Sequence, residues 1–408
     1  MKTTARAAAR TAVLTSVLTA ALLAATPAGF AADHDRSSHQ RGHQGVQSAL
    51  DQAISEGGLP GAMAEVQDGG STWFGQAGAA DLTTGRKLGP QDRFRIGSTT
   101  KTFVAARVLQ LEAEHRLSVD DTVEQWLPGV VDGNGYDGAK ITIRQLLNHT
   151  SGIANFAMSD QVSKDFSGTA FLQHRFDSFT PLQLVQLALT DKPLFAPGTG
   201  WTYSDTNYVL AGLIVERATG HSLAQELAER ITKPLHLKST YEPTGDDTGI
   251  HGPHSRFYSR LADSDKPDTP TYGIYDVTDL NPSWGYGSGD LISTLGDLNT
   301  FFRALMQGRV LPPAQMNEMF TMEDPNNGWV PDSHYGLGIG QVTLSCGDVW
   351  GMGGAINGSW SYTFGTRDGR HMLSTEVNGD WAYGDLKWPI GVFTAELEAE
   401  FCKGGTPS

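Results

Sequence analysis

A serine and a lysine three residues apart could carry chemistry in this chain of 408 residues. Ser98 and Lys101 begin a predicted helix, where residues three apart share a face and their side chains can touch. A serine hydroxyl is a good nucleophile only when a base removes its proton. A buried lysine, expected to be mostly neutral, can be that base. The pair therefore predicts acyl transfer through the serine, although the same residues also fit a helix cap followed by a surface lysine.

A tyrosine motif could supply a second proton-transfer group. Tyr203 follows a turn at 197–200 and precedes a predicted helix. Its phenol could act as a base if the positive charge of Lys101 lowered its pKa. Considered alone, Tyr203 also fits an ordinary packed aromatic side chain.

Three further segments stand out by composition. They read LLNHTSGI at 146–153, GYGSGDLIST at 285–294 and GMGGA at 351–355, the last ahead of a predicted strand. Two other hydrolase signatures are absent from the sequence, the Gly-x-Ser-x-Gly turn of α/β-hydrolases and the His-Glu-x-x-His helix of zinc proteases. We therefore expect neither a metal ion nor an organic cofactor.

The order of these motifs along the chain resembles a known family. Ser-x-x-Lys, LLNHTSG, PGT-x-W-x-YS-x-TNY, GSGDLIST and a glycine-rich segment occur in that order in class C β-lactamases and D-alanyl-D-alanine carboxypeptidases. The likeness covers about 47–402 and is greatest for the secreted actinomycete carboxypeptidases. Five motifs in order are far more specific than any one of them.

The resemblance implies roles at the matching positions. Ser98 matches the acylated serine and Lys101 the lysine that activates it. Tyr203 matches the tyrosine that passes a proton to the leaving group and later activates the acceptor. The backbone N–H groups of Ser98 and Ala355 match the oxyanion hole, whose donors stabilise the negative charge that develops on the substrate oxygen.

Two motifs depart from the family pattern. The tyrosine motif usually ends in asparagine, where this chain has Asp205. The family's Lys-Thr-Gly or His-Thr-Gly is replaced by Met352-Gly353-Gly354. The related carboxypeptidases also have an arginine just after a Tyr-Gly-Leu-Gly segment, whereas 335–342 contains no basic residue here. The groups that hold a substrate carboxylate in the family are therefore missing.

These departures predict a changed substrate pocket. The residues expected to contact the substrate are Asp205, Trp284, Met352, Gly353 and Gly354. A methionine would offer an apolar, adaptable surface. Donors with an uncharged leaving group, such as esters or amides, should then be preferred over peptides that end in a free carboxylate. The alternative is that Arg367 or Lys387 supplies the missing charge.

Strand patterns occur at both ends of the chain and helical patterns in the middle. This distribution predicts a mixed α/β (α+β) domain over 45–408, and the resemblance implies the β-lactamase/transpeptidase-like fold. Its antiparallel sheet, flanked by helices, would come from 45–110 and 285–403. The residues at 111–284 would form a mainly helical insertion.

Periodicity and turn residues predict the individual elements. The predicted helices are 47–56, 99–115, 182–189, 208–217, 295–306 and 391–401. The predicted strands are 61–74, 92–96, 335–344, 348–350, 360–364 and 371–377. Ser98 would then lie at the N-terminal end of a long helix.

The first 31 residues have the features of a signal peptide. Three basic residues precede an apolar run at 11–25, and small residues lead to a cleavage site near Ala31. The run is too short for a stable membrane span. We therefore predict a secreted protein without a membrane anchor. A polar tail at 32–44 would follow, and the spacing of its histidines fits no standard metal site.

The charge of the chain limits its possible partners, and its two cysteines indicate a disulfide. The formal net charge is −15 and the sequence pI is about 5.2, which argues against binding to nucleic acid or to an anionic membrane. The expected partner is a small-molecule or peptide acyl donor, and we expect a monomer. An oxidising destination and the family likeness imply a disulfide between Cys346 and Cys402, although two buried free thiols are the alternative.

Three functions remain compatible with these observations. The favoured one is hydrolysis of peptides ending in D-alanyl-D-alanine by a penicillin-binding carboxypeptidase. The second is an esterase or a transacylase that moves an acyl group from an ester or amide to an acceptor other than water. The third is an inactive binding homologue, which the joint presence of Ser98, Lys101 and Tyr203 disfavours.

Overall fold

The computed structural model describes residues 42–243, 245, 247–261, 273–325, 330, 332–383 and 388–402. All of these residues belong to one compact unit of the chain, Gly42–Ser408. The predicted signal peptide, nearly all of the polar tail and Lys387 lie outside the described residues, so secretion stays a prediction. None of the helices in the described ranges is long and apolar enough to cross a membrane.

Strands and helices are distributed along the described chain as follows. The strands are β1 Gly61–Asp68, β2 Ser71–Gly78, β3 Phe94–Arg95, β4 Asp132–Gly133, β5 Tyr136–Asp137, β6 Tyr258–Ser259, β7 Tyr275–Asp276, β8 Ile292–Ser293, β9 Ser333–Tyr335, β10 Gly340–Leu344, β11 Gly347–Ile356, β12 Ser359–Gly365 and β13 His371–Val377. The α-helices are α1 Gln44–Ser55, α2 Thr100–Ala113, α3 Val123–Trp126, α4 Ile143–Leu147, α5 Asp160–Phe166, α6 Phe171–His174, α7 Pro181–Leu189, α8 Asp205–Thr219, α9 Leu223–Leu227, α10 Leu295–Met306, α11 Pro313–Met319 and α12 Trp388–Phe401.

A seven-stranded antiparallel sheet organises these elements. Its strand order is β2-β1-β13-β12-β11-β10-β9, so strands from both ends of the chain meet inside it. Ala62 of β1 pairs with Val377 of β13, which joins the N-terminal hairpin to the C-terminal strands. The predicted fold class, an antiparallel sheet flanked by helices, is confirmed. The elements between residues 111 and 284 are mainly helical.

Two apolar cores cover the two faces of the sheet. On one face, Leu50 of α1 and Phe393 of α12 pack with Leu373 of β13. On the other face, α2 and α10 belong to a larger core, where Phe103 stacks on Phe301 at a ring-centroid distance of 3.7 Å. Successive side chains of a strand point to opposite faces, so β13 contributes to both cores.

Helix α2 runs through the larger core and fixes the position of Lys101. Every residue from Thr100 to Leu109 is buried. The charged Arg107 is among them, and its Nε donates to a carboxylate oxygen of Glu226 at 2.8 Å. A buried charge needs such a partner because removal from water is otherwise costly. The predicted helix at 99–115 is therefore found with slightly shorter ends, and it is enclosed rather than amphipathic.

Helix α8 carries the tyrosine motif at its start. Ser204 is the N-cap residue, Asp205 is the first helical residue, and the helix ends at Gly220 with φ +78. Glycine suits this left-handed position because it has no Cβ. The sequence predicted this end correctly but began the helix at 208. It therefore missed the first turn, which holds Asp205.

The glycine-rich segment lies inside a strand rather than ahead of one. Strand β11 runs over Gly347–Ile356, and the GMGGA segment occupies its second half. The strand predicted at 335–344 is instead two strands, β9 and β10, separated by a turn that contains Gly338 at φ +74. A Cβ at Gly338 would lie 2.5 Å from the Cβ of Ala105, so this turn packs directly on α2.

Cys346 and Cys402 form a disulfide, as predicted. The bridge connects the turn between β10 and β11 to the end of α12. The two cysteines are 56 residues apart, and constraining an unfolded chain in this way stabilises the folded state by roughly 2–4 kcal/mol. The disulfide therefore fastens the last helix to the sheet.

Glu400 of α12 joins three elements through two histidines. Its carboxylate lies 2.8 Å from Nδ1 of His43, just before α1, and 2.7 Å from Nε2 of His371, which begins β13. Burial alone would raise the pKa of Glu400, but the hydrogen bonds from His371 and His43 lower it to about 2. The ionised carboxylate is thus the form that the fold stabilises.

Glu400→Gln should lower the free energy of unfolding by about 2 kcal/mol at neutral pH, the scale of a hydrogen bond to a charged group. The folded-state pKa lies below the ordinary 4.5, so this contribution is complete above about pH 4.5 and is lost as the pH falls toward 2. Urea unfolding at about pH 7 and pH 3 should show that the variant loses less stability on acidification than the wild type.

The matched control is Glu398→Gln on the same helix, since the side chain of Glu398 bonds only the exposed Ser345 among the hydrogen bonds described. This variant should keep the acid dependence of the wild type. Identical acid dependence in the wild type and in Glu400→Gln would contradict the assignment to Glu400.

Candidate active site

Ser98 lies in a short helical turn, Gly97–Thr99, that touches strand β11. Gly97 has φ +49, and a Cβ there would lie 2.6 Å from the backbone nitrogen of Ala355. A Cβ at Gly354 would lie 1.8 Å from the carbonyl oxygen of Ile96. Glycine is needed at both positions because the two backbones approach too closely for a side chain. The contact brings Ser98 and Ala355, the predicted oxyanion-hole residues, to one cavity.

Three acceptors surround the buried amine of Lys101. Its Nζ lies 3.0 Å from Oγ of Ser98, 2.6 Å from Oδ1 of Asp205 and 2.7 Å from the carbonyl oxygen of Ser288. The mostly neutral amine that the sequence predicted for Lys101 stays a prediction. A neutral amine 3.0 Å from Oγ of Ser98 could accept the serine proton. The carboxylate in contact with Lys101 is that of Asp205.

The hydroxyl of Tyr203 lies 2.7 Å from Oγ of Ser98, so the predicted tyrosine reaches the predicted nucleophile. Burial raises the pKa of Tyr203 well above its ordinary value, and the carboxylate of Asp205 raises it further. The prediction of a lowered phenol pKa is therefore wrong. It considered the positive charge of Lys101 and omitted the negative charge of Asp205 beside it. Tyr203 is a protonated phenol at neutral pH and can give a proton to a leaving group.

Asp205 connects Lys101 to the helical region. Its Oδ1 accepts the hydrogen bond from Lys101, and its Oδ2 accepts one from Nδ2 of Asn155 at 3.1 Å. An asparagine at position 205, as in the family pattern, would leave Lys101 without this countercharge. Asn155 was not predicted from the sequence, although it lies only two residues beyond the LLNHTSGI segment.

The segment at 146–153 packs against the tyrosine motif through His149. His149 is fully buried, and its Nδ1 accepts a hydrogen bond from the backbone N–H of Ser204 at 3.2 Å. Its ring centre lies 4.4 Å from that of Tyr203. Burial lowers the pKa of His149 well below 6.5, and the charge of Lys101 lowers it further. The enclosed histidine therefore packs against the tyrosine motif and accepts a hydrogen bond from its backbone.

The segment at 285–294 contributes a backbone group rather than a side chain. The carbonyl oxygen of Ser288 is the third acceptor of Lys101. Trp284, which was expected to contact the substrate, packs instead against Phe166 with 5.6 Å between ring centres. It is not among the residues that line the cavity beside Ser98.

A cavity of about 190 Å³ opens beside Ser98. The residues that line it are Ser98, Tyr203, Val330, Val342, Gly353, Gly354, Ala355, Trp360, Tyr362, Phe364 and Ile390. Of these, Trp360, Tyr362 and Phe364 are alternate residues of β12, so their side chains lie on one face of the sheet. The sequence predicted this alternation as a strand but gave no signal that the strand would lie beside the nucleophile.

The strand alternation also corrects the prediction for Met352. Its side chain is fully buried in the larger core, on the face of β11 away from the cavity, and does not reach a substrate. Gly353 faces the cavity and pairs with Tyr362 of β12. A Cβ at Gly353 would lie 2.5 Å from the ring of Tyr362, so the family's threonine would collide with this tyrosine. The position that usually offers a hydroxyl is occupied by an aromatic ring.

Basic side chains are absent from the described residues that line the cavity. The guanidinium of Arg367, one candidate replacement for the missing charge, lies 3.6 Å from the ring centre of Phe320. Lys387, the other candidate, lies outside the described residues. Within the described structure, nothing at this wall would hold a substrate carboxylate.

Residues 46–380 match the Beta-lactamase family. The chain belongs to this family. Among solved structures it is similar to a D-stereospecific amidohydrolase from Streptomyces sp., with 44% identity, a TM-score of 0.80 and coverage of 89% of this chain and 99% of that one. It is also similar to the D-amino acid amidase from Ochrobactrum anthropi SV3 in complex with L-phenylalanine amide, with 25% identity, a TM-score of 0.72 and coverage of 89% and 99%.

Two curated relatives carry other activities in their names. Penicillin-binding protein 4* of Bacillus subtilis is 30% identical over 280 residues, which cover 64% of this chain and 55% of that protein. Esterase EstB of Burkholderia gladioli is 34% identical over 204 residues, which cover 47% and 50%. The chain thus spans about half the length of the curated relatives it matches. The family match and the site geometry agree, because Ser98, Lys101 and Tyr203 of this Beta-lactamase family chain contact one another at the cavity.

Lys101→Arg should abolish acylation of Ser98 although it keeps the positive charge. A guanidinium cannot release a proton to Asp205 and then accept one from the serine. We expect a loss of about 10³-fold or more, because a nucleophile and its base act as one unit. The rate of acylation by a chromogenic ester, followed by stopped flow, measures this.

Lys140→Arg is the matched control, because Lys140 is exposed and pairs with Asp137 far from the cavity lining. That variant should acylate at the wild-type rate. Acylation by Lys101→Arg within about tenfold of the wild type would exclude the base role, since tenfold corresponds to only about 1.4 kcal/mol.

Proposed function

We propose that this protein hydrolyses amides or esters of D-amino acids that have a large apolar or aromatic side chain and an uncharged leaving group. The observation that carries the proposal is the cavity beside Ser98, where an aromatic row faces the predicted nucleophile. Apolar and aromatic walls favour an apolar acyl group because its burial releases water from both surfaces. The volume, about 190 Å³, suits a single side chain rather than a long peptide.

The proposed uncharged leaving group rests on the lack of basic side chains among the described residues that line the cavity. A charge-assisted hydrogen bond contributes roughly 1.5–3 kcal/mol, so two absent contacts weaken productive binding of a free carboxylate by about a hundredfold or more. Gly353 offers no side-chain donor, and the ring of Tyr362 fills the neighbouring space. A carboxylate placed there would lose water without gaining a partner. An amide or ester avoids this cost.

The names of the similar solved structures support an amide of a D-amino acid as the substrate. The Streptomyces protein, of which this chain covers 99%, is named a D-stereospecific amidohydrolase. The Ochrobactrum anthropi enzyme is named a D-amino acid amidase, and the ligand in its complex is L-phenylalanine amide. The D configuration in our proposal rests on these names alone. The preference for an uncharged leaving group rests on the cavity.

The contacts suggest a sequence of proton transfers. The ammonium of Lys101 passes a proton to Asp205, and the neutral amine takes the proton of Ser98 as Oγ bonds to the substrate carbonyl carbon. The backbone N–H groups of Ser98 and Ala355 stabilise the resulting oxyanion. Tyr203 then protonates the departing amine or alcohol as its bond to carbon breaks. Water, deprotonated by the same groups, cleaves the acyl-enzyme and restores the serine.

A D-alanyl-D-alanine carboxypeptidase, which the motifs favoured, is the second candidate because of the likeness to penicillin-binding protein 4*. It would need a cation for the terminal carboxylate. Transfer of the acyl group to an acceptor other than water would use the same acyl-enzyme. A secreted monomer remains part of the proposal, supported by the N-terminal sequence pattern and the acidic composition.

A panel of four donors tests the proposal: D-phenylalanine amide, D-phenylalanine methyl ester, L-phenylalanine amide and D-phenylalanyl-D-alanine with its free carboxylate. The two D donors with uncharged leaving groups should have kcat/KM values at least about tenfold above that of the free acid, or about 1.4 kcal/mol. The L amide should also be slower than the D amide. Liquid chromatography of released phenylalanine gives all four values.

Ser98→Ala is the control for contaminating activity, and it should turn over none of the four donors. A wild-type preference of about tenfold or more for the free acid would overturn the proposed leaving-group class and favour the carboxypeptidase. Equal rates for the D and L amides would overturn the stereochemical part.

A further inference from the structure

The loop at 285–290 holds Lys101 through one backbone carbonyl. Ser288 presents its carbonyl oxygen to Nζ of Lys101 at 2.7 Å. The preceding residue, Gly287, has φ +63, and its N–H donates to Oδ2 of Asp290 at 3.1 Å. The carboxyl group of Asp290 therefore closes the loop that carries the third acceptor of the lysine.

Asp290 is buried, with 5% of its surface exposed. Its Oδ2 accepts the hydrogen bond from Gly287, while its Oδ1 has no hydrogen-bond partner among the described residues. The next residue, Leu291, donates its N–H to Oγ1 of Thr100 at the start of α2. After Asp290, the N–H of Leu291 therefore fastens the loop to helix α2. Before Asp290, the N–H of Gly287 is held by the Asp290 carboxyl group.

The groups that face Asp290 make it easy to protonate. Burial raises the pKa of Asp290 to about 7, while the Gly287 N–H and the charge of Lys101 act in the opposite direction. Two more acids, Glu242 and Glu216, and the phenol of Tyr286 complete this surrounding. Both the neutral and the ionised carboxyl group keep an oxygen that can accept from Gly287. The hydrogen bond to the loop therefore survives the change of charge.

We propose that Asp290 is a positioning residue for the catalytic lysine, acting by holding Gly287 so that the Ser288 carbonyl stays in contact with Lys101. Without the carboxyl, the loop loses the bond that fixes Gly287 in its left-handed conformation. The Ser288 carbonyl can then move away, and the ammonium loses one of its three acceptors. The amine would no longer be held at 3.0 Å from Oγ of Ser98. The substrate cavity, whose lining excludes Asp290, should be little affected.

This role predicts a split between kcat and KM in Asp290→Ala. We expect kcat for an aminoacyl ester to fall about a hundredfold, since a misplacement of about 1 Å in a catalytic group has that effect. KM should stay within about threefold of the wild type, because the variant leaves the cavity wall intact. Any ester that the wild type hydrolyses serves, so the test does not depend on the proposed substrate class.

Asp290→Asn provides the decisive comparison, since its amide oxygen can still accept from Gly287. This variant should recover kcat to within about fivefold of the wild type, less than 1 kcal/mol. If Asp290→Asn is as slow as Asp290→Ala while both fold, an acceptor at this position is not sufficient and the proposal fails. If Asp290→Ala keeps the wild-type kcat, the carboxyl does not position the lysine and the proposal also fails.

Asp297→Ala separates positioning from general stability. Asp297 is another partly buried acid, and its carboxylate accepts from the backbone N–H of Ser239 and from Oγ1 of Thr240, at 2.8 Å and 2.9 Å. This variant should lower the melting temperature but keep kcat within about threefold of the wild type. Circular dichroism checks that every variant is folded. A loss of kcat in Asp297→Ala equal to that in Asp290→Ala would overturn a specific role for Asp290.

Discussion

The rest of the structure depends on fixing one lysine amine in a dry interior. Lys101 is fully buried, so its amine requires polar partners supplied from elsewhere in the chain. Those groups come from three parts of the chain: the turn of Ser98, the start of α8 with Asp205, and the loop of Ser288. The helix that bears the lysine is enclosed by apolar side chains, which keep the amine from reaching water. The fold thus builds the site by bringing distant segments to a single buried amine.

A second constraint is the close approach of β11 to the turn of Ser98. Glycines at 97 and 354 let the two backbones touch, which sets the nucleophile beside backbone N–H groups. The same strand then defines the substrate wall, because alternate residues face the cavity and the core. Gly353 has no side chain on the cavity side, and the ring of Tyr362 from the neighbouring strand fills the space that a side chain would occupy. The backbone geometry is therefore compatible with the family's fold, whereas the ring of Tyr362 fills the space where the family's threonine side chain would lie.

Much of the fold could be predicted because local signals agree with the tertiary structure. The helix Leu295–Met306 and the strand His371–Val377 were predicted with their observed ends. Ser98, Lys101 and Tyr203 were predicted from motif order, and they lie together in the structure. Oγ of Ser98 is 3.0 Å from Nζ of Lys101 and 2.7 Å from the hydroxyl oxygen of Tyr203. The orientation of Met352 and the pKa of Tyr203 could not be predicted. The orientation of Met352 depends on which face of the sheet each residue of β11 occupies. The pKa of Tyr203 depends on the tertiary contact that places Asp205 beside it.

The most direct test of the account is to trap the acyl-enzyme. The wild-type protein, mixed with D-phenylalanine methyl ester and quenched in acid on the millisecond scale, should gain the mass of one phenylalanyl group. Peptide mapping should find that group on Ser98, and the Ser98→Ala protein should gain none. Turnover of the ester without any adduct on Ser98, or an adduct on another residue that persists in Ser98→Ala, would contradict the account.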